Sequence, residues 1–194
     1  MTIETHTGEA IKPLIPDLAA LRIEVFREWP YLYDGDQESE DTYLRDFASA
    51  KDAIVVSARE GVQIVGAATG SALAAHHDEF AAPIDKLAVD PSQVFYCAES
   101  VLRATSRGQG FGHAFFDARE AHARACGYAY SCFCAVVRPD DHPLRPEDPR
   151  SLAPFWSARG YAPVSGAVAQ FSWRDVGQSV ETEKALQFWM RSLD

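Results

Sequence analysis

The segment with the most evident chemistry is residues 100–116, SVLRATSRGQGFGHAFF. An apolar run ends at Leu102, and after a short loop Arg107-Gly108-Gln109-Gly110-Phe111-Gly112 opens a stretch with helical spacing. Three glycines let the backbone come close to a bulky anion. The first N–H groups of a helix have no intrahelical acceptor, and the helix dipole favours negative charge there. A strand, a glycine loop and a helix in this order make a cradle for a diphosphate. A nucleotide-hydrolysing P-loop needs Lys and then Ser or Thr after its last glycine. Here His113 and Ala114 follow Gly112. A dinucleotide fold needs G-x-G-x-x-G at the start of a βαβ repeat. Here the glycines run G-x-G-x-G in mid-chain, behind a hairpin.

Glu99 stands in an otherwise apolar strand, FYCAESVL. A carboxylate there is costly unless it is paired or functional. Two readings follow: a catalytic or substrate-binding group, or a structural hydrogen bond or ion pair. The four cysteines, at 97, 126, 132 and 134, lack a C-x-x-C spacing and read as buried, reduced thiols. There is no H-E-x-x-H, and the neighbours His76 and His77 would point apart on a strand or helix. No metal is expected.

The run from Arg107 to Gly112 matches the R/Q-x-x-G-x-G/A signature of the GNAT superfamily of acyl-CoA-dependent N-acetyltransferases. Residues 153–161, APFWSARGY, resemble that family's later A-x-x-F-Y-x-x-x-G-F helix. The predicted order β, α, α, β, β, β, α, β, α, β, β resembles its fold over nearly the whole chain. The resemblance implies an α+β architecture: a mixed, mostly antiparallel sheet, splayed in its middle and flanked by helices. It implies acetyl-CoA as co-substrate, no metal, and direct acetyl transfer to a primary amine, on a small molecule or a peptide. The backbone N–H groups of Gly108, Gln109, Gly110, Phe111, Gly112 and His113 would hold the coenzyme A pyrophosphate. Arg107, and Arg103 beside it, can reach phosphates. Ser100, Val101 and Leu102 would pair with the pantetheine arm, and a backbone N–H there would polarise the thioester carbonyl.

Within that resemblance Glu99 becomes the expected base, acting on the amine through water. The acceptor pocket would lie between the first two helices, the splayed strand ends and the last hairpin. Tyr31, Tyr33, Asp34 and Asp36 are the expected substrate contacts, because aromatics interleaved with acids suit a cationic amine. Arg138 would sit across the splay, as a substrate contact or as the ion-pair partner of Glu99. Many members carry a tyrosine that protonates the leaving thiolate, and Phe155-Trp156 stands in its place. An indole N–H donates a hydrogen bond but no useful proton. Tyr31, Tyr33, another group or solvent must then serve, or the chemistry is feeble. A non-catalytic acyl-CoA-binding module and a scaffold domain without cofactor therefore stay open. So does a longer acyl donor, in a pocket shaped by Ala98, Ser100 and Cys134.

The elements that must position these residues follow from patterning. Residues 10–14 read as a strand, 17–29 and 38–47 as helices, and 53–58 and 62–71 as a hairpin. A long connection spans 72–91, with a short helix near 83–87. Residues 95–102 read as one strand, 110–126 as an amphipathic helix and 128–137 as a buried strand. A proline-rich loop covers 138–150, followed by a helix at 151–159 and strands at 167–173 and 184–193. The 194 residues carry a formal charge of -10 and 47% hydrophobic residues, which suits one globular domain over 1–194. The acid excess speaks against nucleic acid as a partner. No apolar stretch approaches the ~20 residues that span a bilayer, and the first residues lack a signal-peptide core. A cytoplasmic protein is expected. Phe171, Trp173, Phe188 and Trp189 would either join two copies as a homodimer through the last hairpin or fill the core.

Overall fold

In a computed structural model of the chain, the described residues are 2–76, 80 and 83–194. The sheet begins earlier than the sequence pattern suggests. Strand β1, Thr2–Thr7, pairs antiparallel with β2, Ile54–Glu60. Residues 10–14, expected as a strand, lie instead in a 3-10 turn over Gly8–Leu14 that buries Ile11 and Leu14. Pro13 cannot donate to a ladder. β1 is a polar edge strand held by backbone pairing and threonine β-propensity, so it has no hydrophobic alternation to detect.

Strand β3, Gln63–Ala72, forms the expected hairpin with β2. Both strands are buried almost throughout, because helices cover both faces. On one face lie α1, Ile15–Phe26, and α2, Gln37–Ala48, which bury Leu18, Leu21, Leu44 and Phe47. On the other lies α3, Phe111–Ala125, with Phe111, Phe115, Phe116 and Ala123 inward. Its buried stripe also takes in Arg119 and Glu120.

The expected strand over 95–102 is broken in two. Strand β4, Val94–Tyr96, and β5, Ser100–Leu102, both face β3. Ser71 opposes Tyr96, but Ala68 opposes Ser100, so residues 69–70 of β3 stand against 97–99. That extra residue is a β-bulge, which bends the strand that carries it. β4 pairs in parallel with β6, Tyr130–Val137, over 94–96 and 130–132 only. Beyond Tyr96 the strands part: β5 keeps to β3, and β6 goes on with β8, Glu181–Ser192. Outside β8 lies β7, Ala162–Arg174, preceded by the short helix α4, Ala153–Ala158. The order is β1-β2-β3-β4-β6-β8-β7, all antiparallel except the β4–β6 pair, with β5 beside β3.

Residues 184–192 are strand, in line with the sequence reading, and Leu193 lies just past its end. The connection expected over 72–91 includes 77–79 and 81–82, so His77 and part of that connection lie outside the described residues. Cys97, Cys132 and Cys134 are buried, whereas Cys126 is exposed at the end of α3, where the helix face has already turned to solvent. Among the described residues no helix is long and apolar enough to cross a membrane. The hairpin aromatics turn inward: Phe188 is buried, and Phe80 lies edge-on to Phe171 as well as Phe188.

Candidate active site

The gap between β5 and β6 has one unpaired strand edge. Thr69 N donates to Glu99 O at 3.0 Å and Arg103 N donates to Val65 O at 3.0 Å, so these odd-numbered residues turn their backbone toward β3. Alternation then turns Ser100 and Leu102 toward the gap. Val101 faces β3 opposite Ala67, so of the three strand residues expected to meet an extended ligand, Val101 has its backbone engaged elsewhere. Its side chain is buried in the core beneath α1 and α2.

The glycine loop lies just beyond this edge. Gly108 and Gly110 have φ of 78° and 86°, a region that costs other L-residues ~1–2 kcal/mol. A Cβ at either position would meet nothing within 4 Å, so the loop presents bare backbone to open space. Gly110 caps α3 with no side chain over the helix end. The first backbone closure is Ala114 N to Gly110 O, at 3.2 Å. Among the described residues, the N–H groups from Gly108 to His113 have no acceptor. Six unpaired donors at a helix N-terminus fit a pyrophosphate, and the open edge at Ser100 fits an amide-bearing arm. Gln109 turns its side chain back to Thr105 O, at 3.5 Å. The ring of His113 lies 4.9 Å from that of Phe155. Both arginines expected at the phosphates hold carboxylates on or just after α1, and Arg107 also donates from Nε to Leu102 O at 3.1 Å. Arg107 pairs with Glu28 at 2.6 Å and Arg103 with Glu24 at 3.0 Å. Their pairs are exposed and cheap to exchange.

Glu99 occupies the bulge, with its side chain turned toward α1 and α2. Tyr43 donates to it at 2.5 Å, Thr69 donates through its hydroxyl, and Arg22 forms an ion pair with it. Arg22 also holds Glu40, and its guanidinium lies 4.5 Å from the Tyr43 ring centroid. Burial opposes ionisation of Glu99, but the Arg22 charge and the hydroxyls of Thr69 and Tyr43 outweigh it and hold the carboxyl below its usual range. The ion-pair partner is thus Arg22 and not the expected Arg138. Arg22 was legible only as a cation on the apolar stripe shared with Leu18 and Phe26.

Arg138 closes a different junction. Its guanidinium donates to Pro30 O and Tyr31 O at 2.8 and 2.5 Å, and to both oxygens of Asp175 at 2.8 and 2.9 Å. Four of its five N–H groups join the end of β6 to the end of β7 and to the loop after α1, so the guanidinium serves as a structural hub. Asp34 is also engaged, by Arg27 at 2.6 Å and Arg174 at 3.3 Å, and the Arg27 contact leads in lowering its pKa. Asp36 caps α2 through Ser39 N at 3.0 Å. The acids of this loop serve the loop, because each has a cation or a helix end within two or three bonds' reach. Tyr33 feels the Glu40 carboxylate, and burial together with that charge pushes its pKa up to about 12.

Tyr31 differs from all of these. Its ring lies 4.4 Å from Phe26 and 6.2 Å from Trp173, and its carbonyl is held by Arg138 and by Trp173 Nε1. Its hydroxyl has no hydrogen-bond partner among the described residues. Burial first, then the nearby Cys134 and Glu99, raise its pKa. Cys134 belongs to β6 and Glu99 precedes β5, so groups from both sides of the parting act on this phenol. Trp156 is wedged against Phe133 at 4.9 Å and Trp189 at 5.2 Å, as a packing residue.

Among the described residues no group of three or more His, Cys, Asp or Glu is placed to hold a metal ion. No protein-family model matches the sequence, and no curated protein does. Solved structures do match. An acetyltransferase of the GNAT family from Streptococcus pneumoniae is similar over 98% of this chain and 99% of its own, with 11% identity and a TM-score of 0.57. An aminoglycoside 6'-N-acetyltransferase complexed with coenzyme A is similar over 100% and 98%, with 14% identity and a TM-score of 0.62. A ribosomal-protein-alanine N-acetyltransferase from Brucella melitensis is similar over 99% and 99%, with 12% identity and a TM-score of 0.61. At such identities the likeness speaks for architecture, and the architecture of this chain is the fold of the GNAT acetyltransferases.

Proposed function

We propose that the protein is an N-acetyltransferase, working as one domain in the cytoplasm, that moves an acetyl group from acetyl-CoA to a primary amine by direct attack. The observation that carries this reading is the β5–β6 gap, whose open edge at Ser100 leads past Leu102, its carbonyl held by Arg107, onto the six unpaired N–H groups of residues 108–113. Acetyl-CoA, when bound, supplies the activated acyl group. The loop N–H groups would take its pyrophosphate, and Arg107 and Arg103 would exchange Glu28 and Glu24 for phosphate oxygens. The Ser100 N–H, turned to the gap, would polarise the thioester carbonyl.

The remaining steps are assigned by position. The amine nitrogen bonds to the acyl carbon, the carbon–sulfur bond breaks, and one proton leaves the nitrogen while one reaches the sulfur. Glu99 is our acceptor for the first proton, through the Tyr43 hydroxyl or a water, since its own oxygens are enclosed. Tyr31 is our donor for the second, because its hydroxyl is unengaged and groups of both parting strands, Cys134 and Glu99, act on it. The acceptor would enter beside the loop at 31–36. The neighbours' names include an aminoglycoside and a ribosomal-protein alanine, so the class offered here is a primary amine, on a small molecule or a peptide.

A second reading, a non-catalytic acyl-CoA-binding module, is favoured by one observation: half-buried Trp156 packs against the core where a proton donor is common. Calorimetric titration of acetyl-CoA and CoA, then CoA release over an amine panel, separates the two. Binding that Gly110→Val abolishes, with release, supports the enzyme. Binding without release supports the module, and no binding refutes both.

A further inference from the structure

Behind the strand break, on the α3 face of the sheet, lies Arg119. It is only 1% exposed. Its Nε donates to Phe115 O at 3.2 Å, and its Nη1 to Thr69 O at 3.1 Å and Glu99 O at 2.9 Å. Its Nη2 donates to Ser100 Oγ at 2.9 Å, and its guanidinium sits 4.8 Å from the Phe116 ring centroid. No carboxylate pairs with it among the described residues. Glu120, the next residue, is taken by Arg159, Arg191 and Tyr161. A buried guanidinium without a counter-ion is expensive, and it is tolerated here by carbonyl dipoles, a hydroxyl and one aromatic face.

Two of those carbonyls, Thr69 O and Glu99 O, belong to the bulge itself. Arg119 thus pins the extra residue that turns β5 away from β6. Across the sheet, one guanidinium, Arg22, meets two carboxylates, Glu40 and Glu99, which leaves that side with a net charge of minus one. The backbone of residues 99 and 100 therefore runs between a negative cluster and a lone positive charge. A tetrahedral adduct of an amine and a thioester carries positive charge on nitrogen and negative charge on oxygen. With the amine arriving from the α1–α2 side, the two fixed charges stabilise both ends of that dipole.

We propose that Arg119 is a positioning residue for acyl transfer: it holds the bulge that opens the gap, and its unpaired charge behind Ser100 polarises the acyl carbonyl. This rests on the acetyltransferase reading. The test is the infrared carbonyl band of acetyl-CoA, labelled with carbon-13 at the thioester, bound to the full-length protein and to Arg119→Lys and Arg119→Met. Affinity is measured by calorimetry and turnover by CoA release. The wild-type band is expected below that of free acetyl-CoA. Arg119→Lys, which keeps the charge but not the fork, should fall between wild type and Arg119→Met. kcat in Arg119→Met should drop about 10²-fold, a larger factor than any accompanying loss of acetyl-CoA affinity. An unshifted wild-type band overturns the proposal even if neither variant folds. So does a band that does not respond to Arg119→Met. Failure of the wild type to bind acetyl-CoA at all would instead refute the acetyltransferase reading; binding with a shifted band but no turnover would refute catalysis and leave the polarising charge supported.

Discussion

Tyr31→Phe removes one oxygen and nothing else that the fold uses. The phenol has no hydrogen-bond partner among the described residues, and its ring contacts with Phe26 and Trp173 survive in phenylalanine. The carbonyl of residue 31 stays with Arg138 and Trp173. Stability should therefore change by less than ~0.5 kcal/mol. If the hydroxyl protonates the departing sulfur, its loss removes a general acid, an effect of about 10²-fold or more in kcat, or ~2.7 kcal/mol of barrier. Burial and the neighbouring Cys134 and Glu99 push this phenol upward, so it keeps its proton above the pH near 10 at which free tyrosine gives one up. The wild-type rate should accordingly show no alkaline fall assignable to Tyr31 below that pH. The assay is CoA release at saturating amine, paired with urea unfolding of the same preparations. A second arm uses an acetyl thioester of a more acidic thiol, whose leaving group needs less help; with it the deficit of the variant should shrink. A kcat within threefold of wild type would refute the assignment. So would an equal deficit with both thioesters, which would point to a lost orientation and not a lost proton.

Three further outcomes are expected. Arg138→Met removes the hub between β6, β7 and the loop after α1 while leaving Asp175 buried beside Lys184 at 3.2 Å, and urea unfolding should show a loss of ~3–5 kcal/mol. The Glu99 carboxyl is held below its usual range, so its contribution to stability is full above the unfolded value near 4.3 and fades as pH falls through the lower folded value; Glu99→Gln should flatten that acid slope in unfolding midpoints taken between about pH 2 and 6. Asp36→Ala should lower the unfolding midpoint by loss of the α2 cap and leave the KM for the amine unchanged, against the earlier expectation that Asp36 meets the substrate.

The parts legible in the sequence are those with a local cause. The loop at 107–112 needs glycine because its backbone turns through positive φ in front of a helix, and that requirement is written residue by residue. The hairpin of β2 and β3 and the apolar stripe of α3 follow from periodicity within a dozen residues. The parts that were misread depend on partners far along the chain. Nothing near Glu99 names Arg22, 77 positions earlier, as the cation that neutralises it. The position of Arg138 at the end of β6 suggests a place across the gap, yet Asp175 and the carbonyls of residues 30 and 31 draw it to the other side. The acids at 34 and 36 looked free because Arg174 and the start of α2 were not yet beside them. Arg22 and Arg119 did leave a trace. Each sits four residues from apolar neighbours on a core stripe, Arg22 between Leu18 and Phe26 and Arg119 between Phe115 and Ala123. A cation at such a place has to be solvated by the protein.

The two parts of the sheet meet along a very short seam, the three residue pairs that join 94–96 to 130–132. Past it, the backbone of Ser100 has no rung to its right, and that of Leu102 meets only the Arg107 side chain. A ligand with amide groups laid along that edge would supply the missing rungs, as a surrogate strand bridging two half-sheets. Ligand binding and folding would then be linked: at a hundredfold excess over Kd a single site adds ~2.7 kcal/mol to the native state. Amide exchange in β5 and in the outer part of β6, slow only when the ligand is present, would make the integrity of this protein a gauge of the ligand's concentration.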